Sequence, residues 1–328
     1  MSVHPTLGWM LAALFGALAA GSLSRLISLR GKPPDLVRNR VDSLKTWWII
    51  APTFAIAVVL GQIAVAAVFV LIGWLALGEY ARLISIRTDD NQTAAEEAAA
   101  SSNSDAWLLR LSMILVPLHY ALICLQWTLP AHLFLPVGGL ILLSISQTAA
   151  GRTEGFTRAV ASSYWGLLLL VYGPSHAVML WSLPADRCAD IGPAGWFLYL
   201  LVLTEMNDIA QAFFGRHWGN RRIAPVVSPF KTWVGFCGGV CTSTLLAIAL
   251  APVLTSFGNA HVAKAAAAGL LISVIGFFGD INLSAVKRDV GVKDSGTLLP
   301  GQGGVLDRID SLTFTAPAFY AFVLWATA

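Results

Sequence analysis

Charge is what this sequence has least of. Of its 328 residues only 12% are Asp, Glu, Lys or Arg, while 56% are hydrophobic; a soluble domain carries about 25% charged residues. A chain this apolar cannot cover itself with a polar surface, so its solvent is lipid. Cysteine is also scarce. Cys124, Cys188, Cys237 and Cys241 form no CxxC pair, and three of them lie in apolar runs. That pattern argues for small core residues and against a zinc site or a disulfide framework. No Lys or Arg precedes the first apolar run, Leu11–Leu18. Although Ala17-Leu18-Ala19 has cleavage-like spacing, a secretory signal wants a basic leading segment, so a retained first helix is expected.

What is present is a series of ten apolar segments, at roughly 7–28, 46–60, 62–82, 107–127, 132–149, 158–181, 194–214, 232–257, 263–285 and 312–327. A bilayer crossing needs about 20 apolar residues. The expected fold is therefore all-α: a polytopic membrane helical bundle of about ten transmembrane helices. Residues 1–328 form a single integral membrane domain, with N-terminal helices over 1–190 and catalytic helices and cytosolic loops over 191–328. Gly61-Gln62 is expected to separate the second segment from the third, since the two together are too long for one crossing. The stretch Thr88–Asp105, TDDNQTAAEEAAASSNSD, has no large apolar residue and reads as a mobile loop or a short surface helix. With the N-terminus outside and the segments alternating, 19 of the 21 Lys and Arg fall on inside loops or their helix flanks, and only Arg187 and Lys264 fall outside. Cytoplasmic loops carry such an excess. The expected location is the inner (plasma) membrane, with the polar blocks facing the cytoplasm.

Two polar blocks interrupt the apolar sequence, Thr204–Gly239 and Gly279–Ser311. Asp208 and Asp280 lie within the seventh and ninth segments, both roughly 8–9 Å below the cytosolic face at 1.5 Å per residue. Carboxylates at membrane depth are costly unless paired or liganded, and they usually mark function. Asp307 and Asp310 stand at i and i+3, on one face of a helical turn. Asp280, Asp307 and Asp310 would then make an all-oxygen cluster suited to Mg²⁺, with no His or Cys to favour zinc. The same residues would also serve as interhelical ion pairs with nearby bases. Ser284, Lys287 and Arg288 continue the Asp280 face at i+4, i+7 and i+8, while Arg216, Lys231, Lys293 and Arg308 come from adjoining loops. Bases beside a metal site suit a polyphosphate. Attraction to anionic headgroups is the other reading, and it accounts well for Arg38 and Arg40. Five glycines between Gly291 and Gly304 include the run Pro300-Gly301-Gln302-Gly303-Gly304, which can bring backbone amides to phosphate oxygens or simply make a tight turn. His119, His132 and His217 read as core or interfacial residues. Glu79 and Glu205 read as carboxylates that line the site, support it or meet water.

The run from Ser284 through Lys287-Arg288, Gly291, Lys293-Asp294, Gly296, Pro300-Gly301, Gly303-Gly304, Asp307-Arg308 and Asp310-Ser311 resembles the signature of the CTP:phosphatidate cytidylyltransferase family. Asn207-Asp208, Ala210, Gly215-Arg216, Ser228-Pro229, Lys231-Thr232, Gly235 and Gly238-Gly239 resemble the stretch that precedes it. The likeness covers residues 204–311; the N-terminal half shares only hydropathy and Glu79-Tyr80 at a helix end. The resemblance implies transfer of CMP from CTP to phosphatidic acid, giving CDP-diacylglycerol and pyrophosphate in phospholipid biosynthesis. It implies a divalent cation, Mg²⁺, on Asp280, Asp307 and Asp310, with Lys287 joining these three as a catalytic residue. Substrate contacts are expected from Asp208, Arg216, Ser228, Lys231, Thr232, Ser284, Arg288, Lys293, Asp294, Gln302 and Arg308. A homodimer in the bilayer is implied, and no nucleic acid is expected. Gln302 stands where the family usually has His, and Gln211 where it usually has Tyr. A CTP-dependent kinase of polyprenol-type alcohols and a transporter are the rival readings. The PGxGGxxDRxD pattern disfavours the first, and the crowding of polar residues at one membrane edge disfavours the second.

Overall fold

In hydrocarbon every backbone amide must find its partner within the protein, so apolar runs of this length close their hydrogen bonds as helices. The computed structural model describes residues 5–89, 95–258 and 261–328 and is helical apart from one hairpin. The order is α1 (Pro5–Ser28), α2 (Pro34–Leu60), α3 (Gln62–Asp89), α4 (Ala95–Cys124), α5 (Thr128–Leu133), α6 (Leu140–Ala149), α7 (Phe156–Leu167), α8 (Gly173–Met179) and α9 (Pro193–Trp218). Then come the antiparallel strands β1 (Arg222–Ala224) and β2 (Ser228–Thr232), followed by α10 (Trp233–Leu254), α11 (Val262–Asp289), α12 (Leu306–Ile309) and α13 (Leu312–Ala326). Among the described residues nine helical runs are long and apolar enough to cross a bilayer. The chain is a polytopic membrane bundle.

The expected sixth segment takes another form. It is one unbroken helical run over residues 156–182, in which α7 passes through a π-helical turn at Leu168–Tyr172 into α8 and a 3₁₀ turn at Leu180–Ser182; it is long enough to cross, though it is not among the nine most apolar runs. Pro174 is the cause: it has no N–H to give to the preceding turn, and the ladder widens just ahead of it. Pro136 sits within a second π turn, Phe134–Gly139, which joins α5 to α6. Gly61, at φ 98°, breaks α2 from α3 as expected. Helix α2, however, begins twelve residues earlier than the apolar segment 46–60. Its first turns are polar, and Pro34 opens it at a position where the missing N–H costs nothing. The Thr88–Asp105 stretch is helical backbone at 88–89 and 95–105, and its centre, 90–94, lies outside the described residues.

Helices α9, α10, α11 and α13 pack on one another and carry the hairpin at one end. Small residues set their spacing. A Cβ on Gly235 would come 2.6 Å from the Gln211 carbonyl oxygen, and one on Gly239 would come 2.5 Å from Gln211 Cγ. One on Gly279 would come 2.7 Å from the Asp310 carbonyl oxygen. Polar bonds pin the same contacts: Asn207 Oδ1 on α9 accepts from Ser273 Oγ on α11 at 2.7 Å and from Ser243 Oγ on α10 at 3.4 Å. Helix α13 also packs on α8, and α12 touches α3, which ties these helices to the N-terminal ones.

Candidate active site

Three carboxylates from three elements converge on one ammonium. Asp208 on α9, Asp280 on α11 and Asp310 between α12 and α13 all act electrostatically on Lys231 of β2. Lys231 Nζ lies 2.5 Å from Asp280 Oδ2 and donates to Gln211 Oε1 at 3.0 Å. Burial works against the Lys231 charge, but Asp280 and Asp208 outweigh it, so its pKa stands above the ordinary lysine value. Ser284 Oγ donates to Asp280 Oδ1 at 3.2 Å, one helical turn on. Ser311 joins the other two acids: its hydroxyl donates to Asp208 Oδ2 and its amide to Asp310 Oδ1, each at 2.8 Å. Asp208 Oδ1 is buried with no donor.

Asp307 belongs to a different group. Its Oδ1 takes Lys287 Nζ at 2.6 Å. Its Oδ2 accepts from Ser295 N at 3.1 Å, Ser295 Oγ at 3.0 Å and Gly304 N at 3.0 Å. The structure thus separates the three acids expected to share a cation: Asp280 and Asp310 stand with Asp208, while donors surround both oxygens of Asp307. Beside Asp307 lies Glu79 of α3, which is 1% exposed. Glu79 Oε1 accepts from Val305 N, and Oε2 from Leu306 N, both at 3.0 Å; Ser295 Oγ reaches Oε2 at 3.3 Å. The glycine-rich loop is folded around these two carboxylates. A Cβ on Gly304 would overlap Ser295 Oγ and Glu79 Oε2, so any larger residue there would displace the bonds these two side chains make.

The loop also docks on α2. Thr46 Oγ1 donates to the Pro300 carbonyl oxygen at 2.9 Å, and Gln302 Nε2 donates to the Ser43 carbonyl oxygen at 2.8 Å. Gln302 Oε1 is buried and unpartnered. Gly301, at φ 70°, leaves no room for a side chain against Asn39.

A cavity of about 1550 Å³ runs past both groups of acids. Asp208, Arg216, Lys231, Asp280, Asp294, Gln302, Asp307, Arg308 and Asp310 all reach it, and Glu205 joins them from one turn deeper in α9. Its far walls are apolar, with Leu11, Leu14 and Phe15 of α1 facing Phe54 and Val58 of α2. Other expected substrate contacts do not border the cavity. Thr232 Oγ1 caps α10 by accepting from Gly235 N at 3.1 Å. Arg288 Nε donates to the Val227 carbonyl oxygen at 3.2 Å and Nη1 to that of Val292 at 2.9 Å, tying the hairpin to the end of α11. Ser228 lies in β2, Lys293 is exposed, and Ser284 and Lys287 act behind Asp280 and Asp307.

In the sequence Glu79 and Glu205 have no settled role, Ser311 stands only as part of the signature, and Ser43, Thr46 and Ser295 are not candidates. Glu79 had one signal, an acid at the end of an apolar run. Ser43 and Thr46 had none, because a lone hydroxyl in a helix usually satisfies its own backbone.

The sequence profile described as the Cytidylyltransferase family matches residues 42–326. Over 316 residues the chain is 39% identical to the uncharacterised protein YnbB of Escherichia coli (strain K12), covering 95% of this chain and 97% of that one. It is 33% identical over 219 residues to a phosphatidate cytidylyltransferase of Brucella suis biovar 1 (strain 1330), covering 66% of this chain and 71% of the relative. A phosphatidate cytidylyltransferase of Haemophilus influenzae is 42% identical over 132 residues, 39% of this chain and 46% of the relative. With its acids and bases gathered in one cavity of a polytopic bundle, the chain belongs to the cytidylyltransferase family and is a membrane nucleotidyltransferase.

Proposed function

We propose that this enzyme transfers CMP from CTP to phosphatidate, forming CDP-diacylglycerol and pyrophosphate at the cytoplasmic face of the membrane. The observation that carries the reading is the cavity: acids and bases crowd one end and bare hydrocarbon lines the other. That is the shape a lipid phosphate requires, since its head must meet a nucleotide while its chains stay out of water, at about 0.8 kcal/mol per buried CH₂. Both named phosphatidate cytidylyltransferase relatives support the same acceptor.

In the reaction a phosphate oxygen of phosphatidate attacks the α-phosphorus of CTP. The new P–O bond forms as the bond from that phosphorus to the β-phosphate bridge breaks, and pyrophosphate departs with that electron pair. Lys231 and Arg308 face the cavity as the cations for the phosphates. Gln211 and Asp280 hold Lys231 in position, and Glu79 and Asp307 hold the glycine-rich loop. Positioning and fixed charge supply the catalysis, and no covalent enzyme intermediate is needed.

Among the described residues no three His, Cys, Asp or Glu side chains stand in a ready metal-binding group. The donor chemistry nonetheless fits a hard divalent cation such as Mg²⁺. Asp208, Asp280 and Asp310 offer only oxygen, their charge exceeds that of Lys231, and Asp208 Oδ1 has no donor. These three residues would hold the ion, which supplies charge neutralisation for the phosphates when bound. This assignment keeps Asp280 and Asp310 from the sequence reading and takes Asp208 in place of Asp307.

The test is an acceptor series with purified protein in liposomes and CTP labelled at the α-phosphate. Label should enter a chloroform-soluble product with phosphatidate but not with diacylglycerol or a polyprenol. Labelling of either alcohol with phosphatidate inert would refute the reading.

A further inference from the structure

Three bases of the catalytic loops have partners: Lys231 pairs with Asp280, Lys287 with Asp307, and Arg288 with two carbonyl oxygens. Three arginines on α1, α2 and α9 differ. Arg25, near the end of α1, lies within electrostatic reach of both Arg40, in the first turns of α2, and Arg216, near the end of α9. Among the described residues no ion pair or hydrogen bond engages the three guanidinium groups, and Asp42, two residues on from Arg40 in α2, is taken by Lys45 at 2.9 Å. A general basic bias decides which loops carry charge. It does not by itself set Arg25 and Arg216 on one cavity with Arg40 in electrostatic reach, an arrangement of like charges that an anion would relieve. Arginine's planar fork is the side chain best matched to phosphate oxygens.

The surroundings select the anion. Arg25 and Arg216 border the same cavity as the acids, with Ser22 and Asn39 as polar neighbours. Arg216 stands eight residues from Asp208 along α9, or about 12 Å of helix axis, so this mouth is a separate place from the acid cluster. Away from the arginines the wall is Leu14 and Leu18 of α1 and Trp47, Ala51 and Phe54 of α2. A nucleotide bound here would leave that hydrocarbon wall unused. A phosphate head carrying two acyl chains would cover it.

We propose that Arg25, Arg40 and Arg216 form a docking site for the phosphate monoester of the lipid substrate, where it is held before moving along α9 to the acid cluster. The inference rests on the proposed acceptor. It assigns two N-terminal residues, outside every motif, to substrate capture. It makes α1 and α2 part of the lipid's path and makes the monoester dianion, not the acyl chains, the feature recognised at entry.

The experiment measures binding apart from turnover. Full-length protein in nanodiscs, without CTP or divalent ion, is titrated with brominated-chain phosphatidate or brominated-chain diacylglycerol, and tryptophan quenching is followed; Trp47 lines the wall. The wild type should prefer phosphatidate by about tenfold or more, and the Arg25→Gln/Arg40→Gln variant should bind the two lipids nearly alike. CTP affinity, measured separately, should not change. If the double variant fails to fold, the exposed Arg40→Gln alone carries the test and should lose about threefold of the preference. A variant that keeps the full preference, or one that loses CTP affinity instead, overturns the proposal. Transfer assays keep the two readings apart. Binding preference without transfer to phosphatidate defeats the proposed reaction and leaves the docking site standing, whereas transfer without the preference defeats the docking site alone.

Discussion

Asp208 Oδ1 concentrates the chemistry into one atom: a buried carboxylate oxygen with no donor, beside Asp280, Asp310 and a single lysine. Replacing any of the three acids by Asn removes charge with little change of shape. Asp208→Asn, Asp280→Asn and Asp310→Asn should each lose at least about 100-fold in turnover, on the order of 3 kcal/mol. Steady-state rates against divalent-ion concentration check this, and near-normal turnover in one variant would remove that residue from the site. Gln302 is the second residue of interest. Its amide nitrogen donates to the Ser43 carbonyl oxygen, so its role here is to seat the loop on α2. A histidine can make the same bond and present its second nitrogen to the cavity. Gln302→His should therefore change the rate by no more than several-fold. It should also add a titration near pH 6.5, where an unperturbed imidazole gains charge as pH falls and a glutamine does not. Rate–pH profiles of both forms decide this. A variant slower at every pH, with normal folding and CTP affinity, would show a loop rebuilt around glutamine.

At the scale of elements, the loop between α11 and α13 is shaped by helices far away in sequence. Glu79 on α3 accepts two backbone amides from it and shares the Ser295 hydroxyl with Asp307, and Thr46 and Ser43 on α2 hold its tip. Glu79→Gln keeps the volume but turns one acceptor into a donor that faces backbone N–H groups. A buried group left unsatisfied costs about 1–3 kcal/mol. The variant should stay inserted, show faster amide exchange at residues 295–306, and lose activity through the loop. Unchanged exchange and activity would mean the loop holds itself. The loop's glycines were legible in the sequence as a tight turn or a phosphate cradle, and Asp307 as a metal ligand beside Asp310. Which carboxylate each donor would choose was not legible. The i, i+3 spacing of Asp307 and Asp310 suggested a common face, but α12 is one turn long and the chain around it delivers the two to different neighbours. The boundary of α2 was missed for a related reason: its polar first turns, Arg38–Lys45, are helical without being apolar, and hydropathy sees only the latter.

For the whole molecule, low charge and ten apolar runs were enough to imply a membrane bundle, because burial in lipid admits few other folds. The sixth segment is continuous helix over residues 156–182, and Pro174 changes the form of its ladder without breaking it. The cavity itself could not be read from the sequence. It depends on α1 and α2 standing opposite α9, a long-range arrangement carried by no motif. It is also what makes a lipid acceptor the best reading. The most direct measurement is the fate of label when the purified chain, in phosphatidate liposomes, is given CTP carrying ³²P at either the α or the γ position. The account predicts that α-label moves to the chloroform phase with release of one pyrophosphate per lipid modified, while γ-label stays in water. Transfer of γ-label to lipid, with α-label left in water as CDP, would mark a CTP-dependent lipid kinase and contradict it.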